Sequence, residues 1–189
     1  MNILIQNLKD AIVGETKANL KYNLFAERAR QENLPEVAEL FKAVAFAETI
    51  HIKNHTRALS VLTDSEVETS EFVHIDDEQI REQVKSTKEN LENAIDGEIY
   101  ETKTMYKNYV KNADDQNEIT VRLSFSLARE AEKIHAKLYK KYLKRVEKGK
   151  PIEGRDIYVC KICGNVEFDE ATENCPLCDH SQQFFEKVS

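Results

Sequence analysis

The chain has no tryptophan and only three prolines and five glycines among its 189 residues. So little turn-forming punctuation argues against a fold of many short strands and favours long helices. No apolar run approaches membrane-spanning length, and the opening MNILIQNLKDA lacks the basic-then-apolar layout of an export signal. No glycine-rich nucleotide fingerprint occurs, so any nicotinamide would be used by another protein. Positive charge is also in deficit: 34 acids against 27 bases give a net charge of −7, which argues against a nucleic-acid partner. The basic tract Lys137 to Lys150 alternates with Tyr139, Tyr142, Leu143 and Val146. It reads as a solvated face near a helix C-terminus. Cysteine is missing until Cys160, and all four lie between there and Cys178. Without an export signal they are read as metal thiolates rather than disulfides, with the cytoplasm as the expected compartment.

What is present is helical periodicity. Leu8, Ile12, Glu15, Tyr22 and Ala29 share a stripe of a first helix over Ile3 to Gln31. Asn33, Pro35 and Glu36 give a start signal, with Asn33 as cap, for a second helix. Its inner stripe carries Phe41, Val44, Glu48, His51, Ile52, His55 and Leu59. Thr63 to Ile75 is polar and strand-like and reads as a crossover, so helices two and three should run parallel. Asp76 restarts the chain as helix three, with Leu91, Ala94, Glu98, Glu101 and Met105 inward. Asp115 and Glu118 repeat the cap signal before helix four, which Gly149 and Pro151 end. The expected division is a bundle over residues 1–150 and a small β-rich metal module over 151–189. An internal repeat supports the bundle, since Ala11–Glu15 resembles Ala94–Glu98. Glu48 follows Glu15 by 33 residues and Glu132 follows Glu98 by 34, as two similar helix pairs would give.

Two Glu-x-x-His tetrads, Glu48 to His51 and Glu132 to His135, each aim a carboxylate and an imidazole from one helix face. Such a tetrad alone is a weak pattern, because most helical glutamates are solvated. Here the flanking positions at helical spacing are apolar: Phe41, Val44 and Ile52 around Glu48, and Phe125, Ala128 and Tyr139 around Glu132. Leu91, Ala94 and Met105 do the same for Glu98. Glu15, Glu48, Glu98, Glu101 and Glu132 therefore point inward, with no Lys or Arg on the inner stripes to balance them. Buried like charges are costly, and two divalent cations with His51 and His135 as neutral donors resolve the conflict. A carboxylate-rich shell favours iron or manganese over zinc. Tyr22 and Tyr106, seven and eight residues past Glu15 and Glu98, are either core aromatics or donors to metal-bound groups. His55 reads as a packed or supporting residue, and His74 and His180 as surface residues.

Cys160-x-x-Cys163 and Cys175-x-x-Cys178 form a strong four-thiolate signal. Spacing alone admits a structural zinc or a single redox-active iron.

Taken in order, Gly14-Glu15, Glu48-x-x-His51, Gly97-Glu98-x-x-Glu101, Glu132-x-x-His135 and the four-cysteine tail resemble the rubrerythrins over essentially the full chain. The Glu98/Glu101 pair is the discriminating feature, since Ala18 stands at the equivalent place after Glu15. The resemblance implies an all-α ferritin-like four-helix bundle holding two non-haem iron ions, with a rubredoxin-like iron centre as electron relay. It implies Glu48 and Glu132 as bridges, Glu15 and Glu98 as terminal ligands, and His135 on the second iron. Glu101 and His51 would exchange on the first. The tail departs from a free-standing rubredoxin in its short span between knuckles and in having Asp179 where glycine often stands. The expected activity is reduction of hydrogen peroxide, with electrons from a rubredoxin or an NAD(P)H-dependent reductase. Iron oxidation for storage is the competing class, and a non-redox bundle with a zinc ribbon the third. The two centres of one chain are expected to lie far apart, with electrons crossing between the chains of a head-to-tail homodimer.

Overall fold

The structure is a computed structural model that describes residues 2–188. Its helices are α1 (Ile3–Gln31), α2 (Pro35–Thr63), α3 (Asp77–Glu82), α4 (Thr87–Tyr100), α5 (Tyr106–Asp115) and α6 (Ile119–Glu147). A π-helical turn, Glu101–Met105, joins α4 to α5 into one rod. The bundle therefore has four rods: α1, α2, α4–α5 and α6. Contacts fix their directions. Arg30 meets Glu39, and Asn19 donates to the Ala45 carbonyl, so α1 and α2 are antiparallel. Tyr22 meets Glu98 while Tyr106 meets Glu15, so α1 also opposes α4–α5. Hence α2 and α4–α5 run parallel, as the long crossover implied. Among the described residues no helix is long and apolar enough to cross a membrane.

Local signals differ from the sequence reading at three junctions. Asn33 is not the cap of α2; it is a left-handed residue (φ 59°) that ends α1, and Leu34 occupies the cap position before Pro35. Asp115 is the last residue of α5; the left-handed Asn117 follows, and Glu118 caps α6. The crossover holds no strand but a 3-10 turn at Thr69–Glu71 and the short α3, so the third rod starts at Thr87 and not near Asp76. The Asp76 cap works locally, accepting from the Gln79 amide. The helix stops because Asn90 binds both backbone groups of Lys85 with its side chain, and a Ser86/Glu89 capping box begins α4.

The apolar core falls into two parts. One gathers Tyr22, Phe25, Phe41, Val44, Leu91 and Tyr139, and the other Leu4, Leu8, Ile12, Leu59, Tyr106 and Phe125. Along every rod the glutamates and histidines lie between these parts, so a polar layer is sandwiched by dry packing. Phe41 holds one side, with ring centroids 5.2 Å from Tyr139 and 5.4 Å from Phe25.

The C-terminal module is an antiparallel sheet of β1 (Ile157–Cys160), β2 (Val166–Phe168) and β3 (Phe185–Lys187), in the order β2-β1-β3. Ile157, Val159 and Val166 join the first part of the bundle core. Asp179 adopts a left-handed conformation (φ 59°), a geometry that Asp tolerates better than most side chains and that explains why glycine suits this place.

Because the capping box is what restarts the Glu98-bearing rod, Ser86→Ala should lower unfolding free energy by about 1 kcal/mol. Urea denaturation measures it, and an unchanged midpoint would show that tertiary packing alone sets the start of α4.

Candidate metal centres

Glu15 of α1, Glu48 and His51 of α2, Glu98 of α4, and Glu132 and His135 of α6 are all fully buried. They form two overlapping donor sets, Glu15/Glu48/His51/Glu132 and Glu48/Glu98/Glu132/His135, with one ligand atom from each residue and all within 4.8 Å of one another. Glu48 and Glu132 belong to both. His51 Nδ1 lies 2.9 Å from Glu48 Oε2 and 2.8 Å from Glu132 Oε1. His135 Nδ1 lies 2.7 Å from Glu132 Oε2 and 3.7 Å from Glu98 Oε2. The three-residue spacing of each tetrad produces this convergence, because both side chains leave one face of their helix.

Electrostatics show what the layer lacks without cations. Burial, reinforced by neighbouring carboxylates, pushes Glu15 and Glu98 well above the usual carboxylate range, and Glu48 up to about 7. Glu132 is the exception: burial raises it, but the two imidazoles beside it hold it well below that range. Burial alone would lower His51 and His135, yet Glu132 between them holds both well above an ordinary imidazole. Glu15 Oε2, Glu48 Oε1 and Glu98 Oε2 are buried without a hydrogen-bond partner, while Glu132 Oε1 meets His51 Nδ1. Three orphaned carboxylate oxygens converging with the Glu132 carboxylate make a donor set fitted to two hard or borderline cations.

Around this layer stand groups of unequal legibility. Tyr22 donates to Glu98 Oε1 at 2.7 Å, and Tyr106 donates to Glu15. The pairing is crosswise: each tyrosine serves the glutamate of the other half. Tyr22 lies seven residues past Glu15 and Tyr106 eight past Glu98, and the extra residue is absorbed by the π-helical turn. Glu101 opens that turn, is half-buried, and falls outside both donor sets. Its carboxyl is pushed well up by burial and then by Glu15 and Glu132. One cation escaped the stripe argument. Lys21 is half-buried, its ammonium pushed down by burial while Glu101, Glu98 and Glu48 pull it up. It sits off the helical stripe of Glu15, so only its long stem brings it near the acids. His55 is fully buried against Tyr106 and Ser124.

The four cysteines carry no disulfide. Sγ pairs lie 3.7 Å apart for Cys160/Cys178 and 3.5 Å for Cys163/Cys175. A tetrahedral metal with sulfurs at about 2.3 Å holds them about 3.8 Å apart, so the cage already fits an iron or zinc ion.

The expected wide separation of the two centres within a chain is not what the fold gives. The module folds back onto its own bundle. His51 Nε2 lies 3.1 Å from the Cys163 carbonyl oxygen and His135 Nε2 lies 3.0 Å from that of Gly164. Asn54 also donates to the Ile162 carbonyl at 2.8 Å. A carbonyl only accepts, so both Nε2 atoms carry protons and both Nδ1 atoms are free to face the cavity. Gly164 permits the approach: its φ is +80°, and a Cβ there would lie 2.5 Å from His51 Nε2. Sequence spacing held no sign of this contact, because nothing in a Cys-x-x-Cys-Gly segment names the surface it meets.

Glu132 belongs to both donor sets, so Glu132→Ala should empty the bundle while leaving the thiolate centre filled. Metal analysis should find about one iron per chain in place of about three. Retention of the bundle pair would show that the two sets do not share this carboxylate.

The chain resembles known proteins along its length. The rubrerythrin family profile matches residues 6–143, and that of the rubrerythrin rubredoxin-like domain matches residues 158–186. Rubrerythrin-2 of Clostridium acetobutylicum is 36% identical over 182 residues, covering 95% of this chain and 93% of that protein. Nigerythrin of Nitratidesulfovibrio vulgaris is 32% identical over 181 residues, covering 96% of this chain and 84% of the relative. The structure described as fully reduced, all-ferrous nigerythrin superposes with a TM-score of 0.85 at 30% identity, over 97% of this chain and 86% of that one. With its bundle, paired Glu/His donor sets and four-cysteine module, this chain belongs to the rubrerythrin family of di-iron proteins.

Proposed function

We propose that the chain is a peroxidase in which hydrogen peroxide takes up two electrons and two protons to give two waters. The observation that carries this reading is the pair of hydrogen bonds from His51 and His135 to the Cys163 and Gly164 carbonyls. A protein that only stores iron has no need of a thiolate centre joined to its ligands. Repeated two-electron reduction does need a route by which electrons return singly. When bound, two ferrous ions supply both electrons together, so the O–O bond is cleaved without a free hydroxyl radical.

The chain's own groups have separable roles in this proposal. Glu48 and Glu132, common to both donor sets, would be shared by the two metals; Glu15 with His51 would complete one site and Glu98 with His135 the other. Glu101, at the start of the π-helical turn, would supply a further carboxylate to the metal that His51 holds. Tyr22 and Tyr106 orient Glu98 and Glu15 through their hydroxyls. The dry layers above and below exclude water from the site, which strengthens every charge interaction inside it. The four cysteines would hold an iron that supplies single electrons, received from a rubredoxin or an NAD(P)H-dependent reductase, and the two carbonyl–imidazole contacts would join it to the bundle of the same chain. The native assembly is a homodimer, in keeping with exposed Ile119, Leu123 and Tyr100 on the bundle surface, and the compartment is the cytoplasm, which keeps four thiols reduced.

Anaerobic mixing of fully reduced protein with peroxide should oxidise the bundle metals first and the thiolate iron afterwards, followed by visible absorption. Both centres staying reduced over many equivalents would eliminate peroxide as the substrate. The route is checked by mixing two crippled chains in one dimer, Cys160→Ser/Cys175→Ser and Glu98→Ala/Glu132→Ala. Passage within a chain predicts no turnover from the mixture; recovered turnover would mean that electrons cross between chains.

A further inference from the structure

His55 is a buried imidazole that ligand chemistry does not use. It stands one helical turn beyond His51, and its ring packs 5.6 Å from Tyr106 and 5.3 Å from Phe125. Its Nδ1 lies 2.7 Å from Ser124 Oγ and its Nε2 lies 2.9 Å from the Tyr106 hydroxyl oxygen. Tyr106 in turn donates to Glu15.

These contacts determine every proton. Tyr106 has one hydroxyl hydrogen, and Glu15 takes it, so the oxygen must accept from His55 Nε2–H. His55 is fully buried with two uncharged groups, Ser124 and Tyr106, at its nitrogens, and burial pushes it down to about 3, so the ring is neutral and Nδ1 is bare. Ser124 must then donate to Nδ1. Three donors in series, Ser124 to His55 to Tyr106, all point toward Glu15.

The other half of the bundle shows that packing does not require this. Tyr139 follows His135 by four residues, as His55 follows His51. Its ring lies 5.5 Å from Tyr22, the tyrosine that serves Glu98. Yet the Tyr139 hydroxyl is buried with no partner. A pseudo-equivalent aromatic thus fills the same place and gives Tyr22 no donor. Only the Glu15 half is backed by a polar chain.

We propose that His55 is a positioning residue, which with Ser124 locks the Tyr106 hydroxyl as a donor to Glu15 and so keeps that carboxylate in its ligating pose. The proposal rests on the peroxidase reading for its consequence in turnover, but its geometry is tested independently. In the full chain loaded with zinc instead of iron, nitrogen-15 NMR of the His55 ring should show the Nε2–H tautomer at pH 7. The Nδ1–H tautomer or a protonated ring would overturn the proposal. In the iron-loaded enzyme, His55→Leu should lower kcat for peroxide about tenfold with KM and iron content unchanged. His55→Gln, whose amide nitrogen reaches the Nε2 position, should restore most of the rate. Ser124→Ala gives a milder loss without disturbing the packing. Unchanged kcat in His55→Leu, or a loss that Gln does not relieve, would refute it. If the native chain turns over no peroxide, the peroxidase reading falls, while the tautomer still decides the role of His55.

Discussion

The rest of the structure depends on mutual repulsion among carboxylates that cannot reach water. Glu15, Glu48, Glu98 and Glu132 are fully buried and share one layer, and the first three each keep an oxygen with no partner. No apolar packing relieves such a layer, since removing an ionised carboxylate from water without compensation costs more than a whole core residue gains. It persists because protons on the imidazoles and carboxyls, or metal ions, balance the charge. The aromatic and aliphatic packing on either side gives the layer fixed walls. The four rods must therefore be long, since each needs apolar turns on both sides of its polar residue. That requirement accounts for the scarcity of glycine and proline in the helices.

Much of this could be read from spacing alone. A glutamate and a histidine three apart, flanked at helical intervals by Phe41 and Val44 or by Phe125 and Ala128, have one geometric outcome. Four cysteines in two knuckles likewise converge wherever the module sits. What spacing could not supply was register and contact. Asn33 and Asp115 resemble helix caps but end helices, because a left-handed Asn following a helix is locally as good a signal as a cap preceding the next. Asp76 caps a helix of only one and a half turns, since Asn90 claims the Lys85 backbone. Lys21 is off-stripe and reaches the acids by its length. The docking of Gly164 on His51 joins residues more than a hundred positions apart and leaves no periodic trace.

The π-helical turn explains a mismatch visible in the sequence. With Glu15 and Glu98 equivalent, Ala18 and Glu101 fall at the same offset, but Tyr22 and Tyr106 differ by one. A single widened turn absorbs the additional residue. It brings Tyr106 into the place Tyr22 holds in the other half, and leaves Glu101 at the start of the irregular backbone. The two halves are thus alike in their ligands and unlike in what surrounds them. Glu101 has no counterpart at Ala18, and His55 has only Tyr139. Both departures are on the side of the first donor set, where His51 also lies.

That asymmetry meets the module at His51. The same imidazole faces Glu15, Glu48 and Glu132 through Nδ1 and the Cys163 carbonyl through Nε2. Its position is therefore set jointly by the bundle and by a backbone that also carries a thiolate ligand. Any movement of His51 relative to the cavity must stretch that contact or drag the Cys163–Gly164 segment with it. That segment is itself tied to the thiolate knuckle, since Gly164 is left-handed and its amide donates to the Cys160 carbonyl. On the proposed function, ligand exchange at the bundle and electron entry at the thiolate centre would be linked through this one side chain.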